Sequence, residues 1–240
     1  MAFNPGDYTV PTAKPLPVVF LLDVSGSMYG SKIANLNQAV EEMLQSFSAE
    51  NMRETEIRVS VITFGSQVRL HLPLTKADEV KWTHLTADGS TPMGTALRMA
   101  KDMIEDKDQI PSRAYRPAVI LVSDGQPNDD WEQPLENFIS SGRSSKCDRM
   151  ALAIGRDAEE GVLGKFVAGT TNPLFHAENA AKLKDFFKFV TMSVTVRSKS
   201  RTPNSVPTPA DLGFDASRIA SNAASQASRP DSGDEEEGYW

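Results

Sequence analysis

Five side chains in three separate stretches carry hard oxygen donors: Asp23, Ser25 and Ser27 in "DVSGSM", Thr91 in "DGSTPMG", and Asp124 in "SDGQP". Two are carboxylates and three are hydroxyls. Such a set suits Mg²⁺, which takes near-octahedral oxygen at about 2.0–2.1 Å and keeps some of its waters. Mn²⁺ and Ca²⁺ accept the same atoms, whereas zinc and copper prefer nitrogen or sulfur. His71, His84 and His176 are scattered along the chain, and a core or surface role suits each. Taken singly, every stretch has an ordinary reading. Serine beside glycine forms turns. Thr91 before Pro92 is what a helix cap with proline in the first turn looks like. Asp-Gly after a strand is a common turn.

Those stretches gain meaning from the elements around them. "VVFLLD" reads as a strand buried on both faces, because nothing polar alternates within it. Ile33, Leu36, Val40, Leu44 and Phe47 then fall three or four apart, as one stripe of an amphipathic helix. "EIRVSVITFG" and "SQVRLHLPL" meet at Gly65 and predict a hairpin, with an antiparallel edge strand. "STPMGTALRMAKDMI" predicts a helix, "PAVILVSDG" a second buried strand ending in an acid, and "WEQPLENFIS" a short helix. "CDRMALAIG" is a third buried strand, "EEGVLGKFV" a weak helix, "TNPLFHA" a short strand, and residues 179–196 a closing helix. This alternation predicts an α/β fold: a doubly wound, mostly parallel sheet with one antiparallel edge strand and helices on both faces. In such sheets ligands bind at the carboxyl ends of the strands. All three oxygen-bearing stretches follow a strand or open a helix on that edge, so a shared metal becomes the better reading.

Composition narrows the partners. A formal charge of −7 over 240 residues argues against a nucleic-acid binder, which would usually present a basic face. The apolar run Leu16–Leu22 is far shorter than the roughly 20 residues of a membrane span, and no basic leader precedes it. The single cysteine, Cys147, has no internal partner for a disulfide, which fits a reducing, cytoplasmic setting. Past residue 197 the chain turns Ser- and Pro-rich and ends in "DEEEGYW". Residues 198–240 are expected to be a disordered acidic tail. "FDASRIASNAA" within it could form a short helix on a partner, its hydroxyls could take phosphate, and its "DEEE" could dock on the metal. Residues 1–14 form an irregular lead-in, and 15–197 the folded domain.

The residues "DVSGS" match the D-x-S-x-S motif of von Willebrand factor A domains, and Thr91 and Asp124 stand where that family completes its metal-ion-dependent adhesion site. The resemblance implies that Ser25 and Ser27 touch the metal directly, that Thr91 does so in the ligand-bound form, and that Asp23 and Asp124 act directly or through water. It also implies an open coordination position, filled by an Asp or Glu of a partner protein. A narrower likeness covers "VVFLLDVSGSM", "PAVILVSDGQPNDDW" and "DFFKFVTMSV". These resemble bacterial TerY-type proteins of tellurite resistance and stress response, which implies an adaptor working beside a protein kinase and a PP2C-type phosphatase.

Enzyme readings fare worse. A haloacid-dehalogenase-type phosphatase needs a second Asp where Ser25 stands. The P-loop and dinucleotide fingerprints are missing, and Asp23 occupies the place of the first glycine in a serine-hydrolase elbow. A metal-dependent hydrolase or phosphatase and a domain with a purely structural metal stay open as alternatives. The acids of "NDDWE", next to Asp124, read as a solvated loop or as the rim of the site, and Trp131 as a contact residue or a packed one.

Overall fold

The computed structural model describes residues 13–50, 55–155, 158 and 160–216. It has a six-stranded sheet: β1 Lys14–Asp23, β2 Thr55–Phe64, β3 Val68–Lys76, β4 Ala118–Ser123, β5 Asp148–Ile154 and β6 Leu174–Ala177. The order is β3-β2-β1-β4-β5-β6. Only β2 and β3 run antiparallel, as the edge hairpin that alternation in "EIRVSVITFG" predicts. The helices are α1 Ser31–Ser48, α2 Met93–Glu105, α3 Glu132–Ser140, α4 Glu160–Val167 and α5 Ala180–Lys199. This is the doubly wound α/β architecture expected from the strand–helix alternation.

β1 carries the sheet's centre, and its pattern explains two cores. Leu16, Val18, Phe20 and Leu22 point to the face covered by α1 and α5. Val19 and Leu21 point to the face covered by α2, α3 and α4. A strand with apolar side chains on both sides cannot lie at a wet surface, so helices must cover both. Pro15 and Pro17 stand in a central strand, where proline is normally excluded. They are tolerated because that stretch pairs only with β2; pairing with β4 begins at Val18.

Strand order reverses direction between β1 and β4, so the crevice at their carboxyl ends is the switch point. Asp23 ends β1 and Ser123 ends β4, one position beyond the paired Leu22 and Val122. Asp124 follows at once. The sheet therefore carries the first and last of the oxygen-bearing stretches to neighbouring positions.

One composition-based expectation changes at its start. Residues 198–216 fell within the stretch expected to be disordered, yet they pack on the domain. Pro203 and Pro209 are buried, and the Phe214 ring sits 5.1 Å from Phe189 of α5. Arg197, at the end of α5, is fully buried and donates from Nε to the Pro203 carbonyl at 2.9 Å. Asn204 accepts the Arg116 N–H at 2.7 Å. A few anchors, here a buried arginine and one phenylalanine, outweighed a polar average. Most of the lead-in, the rest of the tail, the "DEEE" acids and most of "FDASRIASNAA" lie outside the described residues. Among the described residues no helix is long and apolar enough to cross a membrane.

Candidate metal centre

The chain leaves β1 at Asp23 and turns at once through a short 3-10 turn, Gly26–Met28, before α1. Asp23 is fully buried and both its oxygens are used. Oδ1 accepts the Ser25 N–H at 2.8 Å, which folds the loop back, and Oδ2 accepts the Ser123 hydroxyl. Burial pushes the Asp23 carboxyl above its ordinary range; the Ser123 and Ser25 hydrogen bonds pull it down, and the Asp124 charge adds to the upward push. A buried carboxylate next to another carboxylate is a place that favours a cation.

From Asp23 the polar atoms run in a chain. Ser25 Oγ lies 3.0 Å from Ser27 Oγ, and Ser27 Oγ donates to Asp124 Oδ1 at 2.7 Å. Thr91 arrives from the other side. A β-carbon at Gly125 would stand 3.6 Å from Thr91 Oγ1 and 3.7 Å from Ser27 Oγ, so both hydroxyls border the space above Gly125. Asp23, Ser25, Ser27, Thr91 and Asp124 thus gather around one crevice. Ser25, Thr91 and Asp124 are buried, while Ser27 is exposed at the mouth. The donor set, all oxygen and partly neutral, fits a small hard cation. Among the described residues, no three His, Cys, Asp or Glu side chains cluster to hold a metal; any ion here depends on the hydroxyls.

Thr91 does not cap the helix, contrary to its reading as N-cap. Helix α2 begins at Met93, Pro92 holds the cap position, and no side chain of its own caps it. Thr91 is instead held by its backbone: its N–H donates to Asn128 Oδ1 at 3.1 Å, and its carbonyl accepts from Met93 and Asn128. The cap comes from across the crevice. Asp129 accepts the Gly94 N–H at 2.9 Å, the Thr95 N–H at 2.8 Å and the Thr95 hydroxyl at 2.8 Å. The helix start, with its unpaired N–H groups, attracts that carboxylate. The "NDDWE" stretch is therefore a structural brace rather than a solvated loop. Trp131 is half-buried against the core under α2, α3 and α4, with Lys165 Nζ 5.2 Å from its ring centre.

The brace yields a prediction. Asp129→Ala removes three hydrogen bonds at the first turn of α2, and stability should fall by about 2 kcal/mol, at the upper end for a lost cap. Urea denaturation measures it, and a change under about 0.5 kcal/mol would refute the capping role.

Residues missed from the sequence are Ser123, Asn128 and Lys32, and Asp129, read there only as a solvated or rim acid of "NDDWE", is in fact a cap. Lys32, in the first turn of α1, forms an ion pair with Asp124 Oδ2. Ser123 had one visible signal, a hydroxyl beside Asp124 at the end of a greasy strand. The others had none, because their partners lie tens of residues away.

A family model, the von Willebrand factor type A domain, matches residues 18–189. Among curated proteins, inter-alpha-trypsin inhibitor heavy chain H4 of Bos taurus is 25% identical over 193 residues, covering 73% of this chain and 20% of that protein. Heavy chain H6 of Homo sapiens is 25% identical over 188 residues, covering 73% of this chain and 14% of that protein. The chain thus spans a fifth or less of these relatives' length. Among solved structures, a von Willebrand factor type A protein from Catenulispora acidiphila superposes with TM-score 0.56 at 21% identity, over 75% of this chain and 42% of that one. Proximal thread matrix protein 1 of the mussel byssus, with a zinc-occupied MIDAS motif, gives TM-score 0.57 at 15% identity, over 75% of this chain and 48% of that one. The match runs from β1 into α5, and the chain belongs to the von Willebrand factor type A domain family, whose members are in general metal-dependent protein-binding modules.

Proposed function

We propose that this protein is a metal-dependent adaptor in which Asp23, Ser25, Ser27, Thr91 and Asp124 hold a divalent cation that captures an acidic side chain of a partner protein. The observation that carries this is the convergence of three loops' oxygens on one crevice at the switch point. When bound, the metal supplies a positive, partly unfilled coordination shell for a carboxylate. The protein's own groups do the rest. Asp23, tied to Ser25 and Ser123, fixes the loop. Ser25 and Ser27 present neutral hydroxyls, which leave the cation's charge little quenched. Thr91 is kept at the mouth by Asn128. Mg²⁺ fits best by size and donor type, with Mn²⁺ or Ca²⁺ as substitutes.

The set reads as a binding device rather than a catalyst. The carboxylates and hydroxyls named above are donors to the centre or braces for one, and Lys32 is tied up as an ammonium on Asp124, which leaves none of them as a general base. A partner must give up solvation and freedom to bind, so specificity comes from surfaces around the crevice. Tyr29, 81% exposed beside the loop, is such a surface group.

The finer reading is that of a bacterial TerY-type adaptor in the cytoplasm, beside a protein kinase and a PP2C-type phosphatase in a stress response. Its support is the likeness of "VVFLLDVSGSM", "PAVILVSDGQPNDDW" and "DFFKFVTMSV", and a cysteine buried as a thiol. Burial pushes that thiol up to about 12, so it is inert.

Capture of proteins from a cell extract in Mg²⁺, then in EDTA, then with Mg²⁺ restored, tests the adaptor reading. Capture should vanish with chelation and return with metal. Capture unaffected by chelation, with unfolding easier in EDTA, would mean that the metal only stiffens the loops.

A further inference from the structure

The crevice already contains a cation. Lys32 stands in the first turn of α1, where the helix dipole disfavours positive charge, yet its Nζ reaches Asp124 Oδ2. The end of the lysine lies beside the turn after β5. β5 ends at Ile154 and the next residue, Gly155, has φ +91°, a conformation that suits glycine. A β-carbon there would lie 3.6 Å from Lys32 Nζ and 3.7 Å from its Cε. Asp124 therefore divides its oxygens: Oδ1 takes the Ser27 hydroxyl, which belongs to the five-residue set, and Oδ2 takes the ammonium. The carboxylate is shielded from solvent, whereas the lysine side chain is 36% exposed. The ammonium thus reaches Asp124 from the wet side.

The contact sets the charge balance of the crevice. Asp23 and Asp124 with Lys32 leave one net negative charge. A divalent cation turns that into one net positive charge, and a partner carboxylate brings it to zero. Without Lys32 the loaded crevice would already be neutral, and a partner acid would over-fill it. We propose that Lys32 is a built-in competing cation, which weakens metal binding to the free protein and makes metal and acidic ligand bind cooperatively. This rests on the metal reading above. The chemistry it selects is a carboxylate-bearing partner rather than a neutral one, because only an anion completes the balance. Reciprocity follows: whatever factor the acid adds to metal affinity, the metal adds to acid affinity.

Calorimetric titration of the full chain with Mn²⁺ alone, and with Mn²⁺ in excess acetate, tests it on wild type, Lys32→Met and Lys32→Arg. Lys32→Met should bind Mn²⁺ about tenfold tighter, equal to about 1.4 kcal/mol, because a like charge beside the ion is gone. Acetate should tighten Mn²⁺ binding to wild type and do so less in Lys32→Met. Lys32→Arg, which keeps the charge, should stay within about threefold of wild type. Circular dichroism confirms folding, and Lys32→Gln replaces the methionine variant if that one fails to fold. Mn²⁺ binding that is equal or weaker in the uncharged variant overturns the role of Lys32 alone. A wild-type chain that binds no Mn²⁺ overturns the metal centre and this inference with it.

Discussion

Replacing Arg197 with alanine is expected to lower stability by about 3–5 kcal/mol, the usual cost of removing one partner of a buried ion pair. Arg197 and Asp148 are 0% and 1% exposed, 3.4 Å apart. Arg197 also donates to the Pro203 and Arg116 carbonyls, and Asn172 donates to Asp148 Oδ1 at 2.8 Å. Burial pushes the Asp148 carboxyl up and the Arg197 guanidinium down, each against the attraction of the other. Desolvation thus exceeds the pairing, and the pair is a clamp rather than a net source of stability. It joins α5, the base of β5, Pro203 and the Arg116 carbonyl. Without Arg197, Asp148 stays buried with Asn172 as its hydrogen-bond partner but no ion-pair partner, and two carbonyls lose a donor. Chemical denaturation measures the loss. Replacing both members, Arg197→Met with Asp148→Asn, should cost less than Arg197→Ala alone. A single-variant cost under about 1 kcal/mol would dismiss the clamp.

The same variant carries a pH signature. With its folded-state pKa above the ordinary 3.8, native Asp148 holds its proton where the unfolded chain has released it. The native state then binds more protons, so stability falls as pH rises above about 4. Removing Arg197 takes away the largest of the charges that oppose this shift, ahead of Arg116 and Arg149, and the decline should steepen. Denaturation midpoints of Arg197→Ala at pH 4.5 and 7.5 test it; a deficit that shrinks at the higher pH would contradict the sign.

Sequence reading succeeded where physics is local. Apolar runs without polar alternation identified β1, β4 and β5, because a strand covered on both faces has no wet side to mark. The 3.6-residue stripe from Ile33 to Phe47 gave α1, and alternation gave the β2–β3 edge. The oxygen-bearing stretches were visible because each stands at a strand end or a helix start. What stayed hidden depends on distance. Asp129 caps a helix 35 residues earlier, and no short-range signal distinguishes it from a solvated acid. Thr91 looked like a cap because Thr-Pro before a helix often is one; only the fold shows that a distant carboxylate took that job. Lys32 pairs with Asp124 across 92 residues. Averaged composition likewise hid Phe214 and the Arg197 anchor, since disorder is read from means and ordering here comes from single contacts.

Thr91→Ala and Asp23→Ala should both abolish partner capture, yet differ in what else they lose. Thr91 holds its loop through backbone bonds to Asn128 and Met93, which alanine retains. Its hydroxyl only borders the crevice. Thr91→Ala should therefore unfold within about 0.5 kcal/mol of wild type, the range of substitutions that break no buried network. Its Mg²⁺-dependent capture should drop at least about a hundredfold, about 2.7 kcal/mol. Asp23 is different, because it organises the loop as well as belonging to the proposed metal set. Asp23→Ala leaves the Ser25 N–H without its acceptor in a buried place and leaves the Ser123 hydroxyl only its long contacts to Gly125 at 3.3–3.4 Å, and a buried orphan costs about 1–3 kcal/mol. That protein should lose capture and several kcal/mol of stability together, while Asp23→Asn, which keeps an acceptor for Ser25, should recover part of the stability and none of the capture. Thermal unfolding beside quantitative pull-down separates the two losses. Undiminished capture by both alanine variants would end the adhesion reading, and a Thr91→Ala chain that fails to fold would show that the hydroxyl braces the loop rather than serving the ligand.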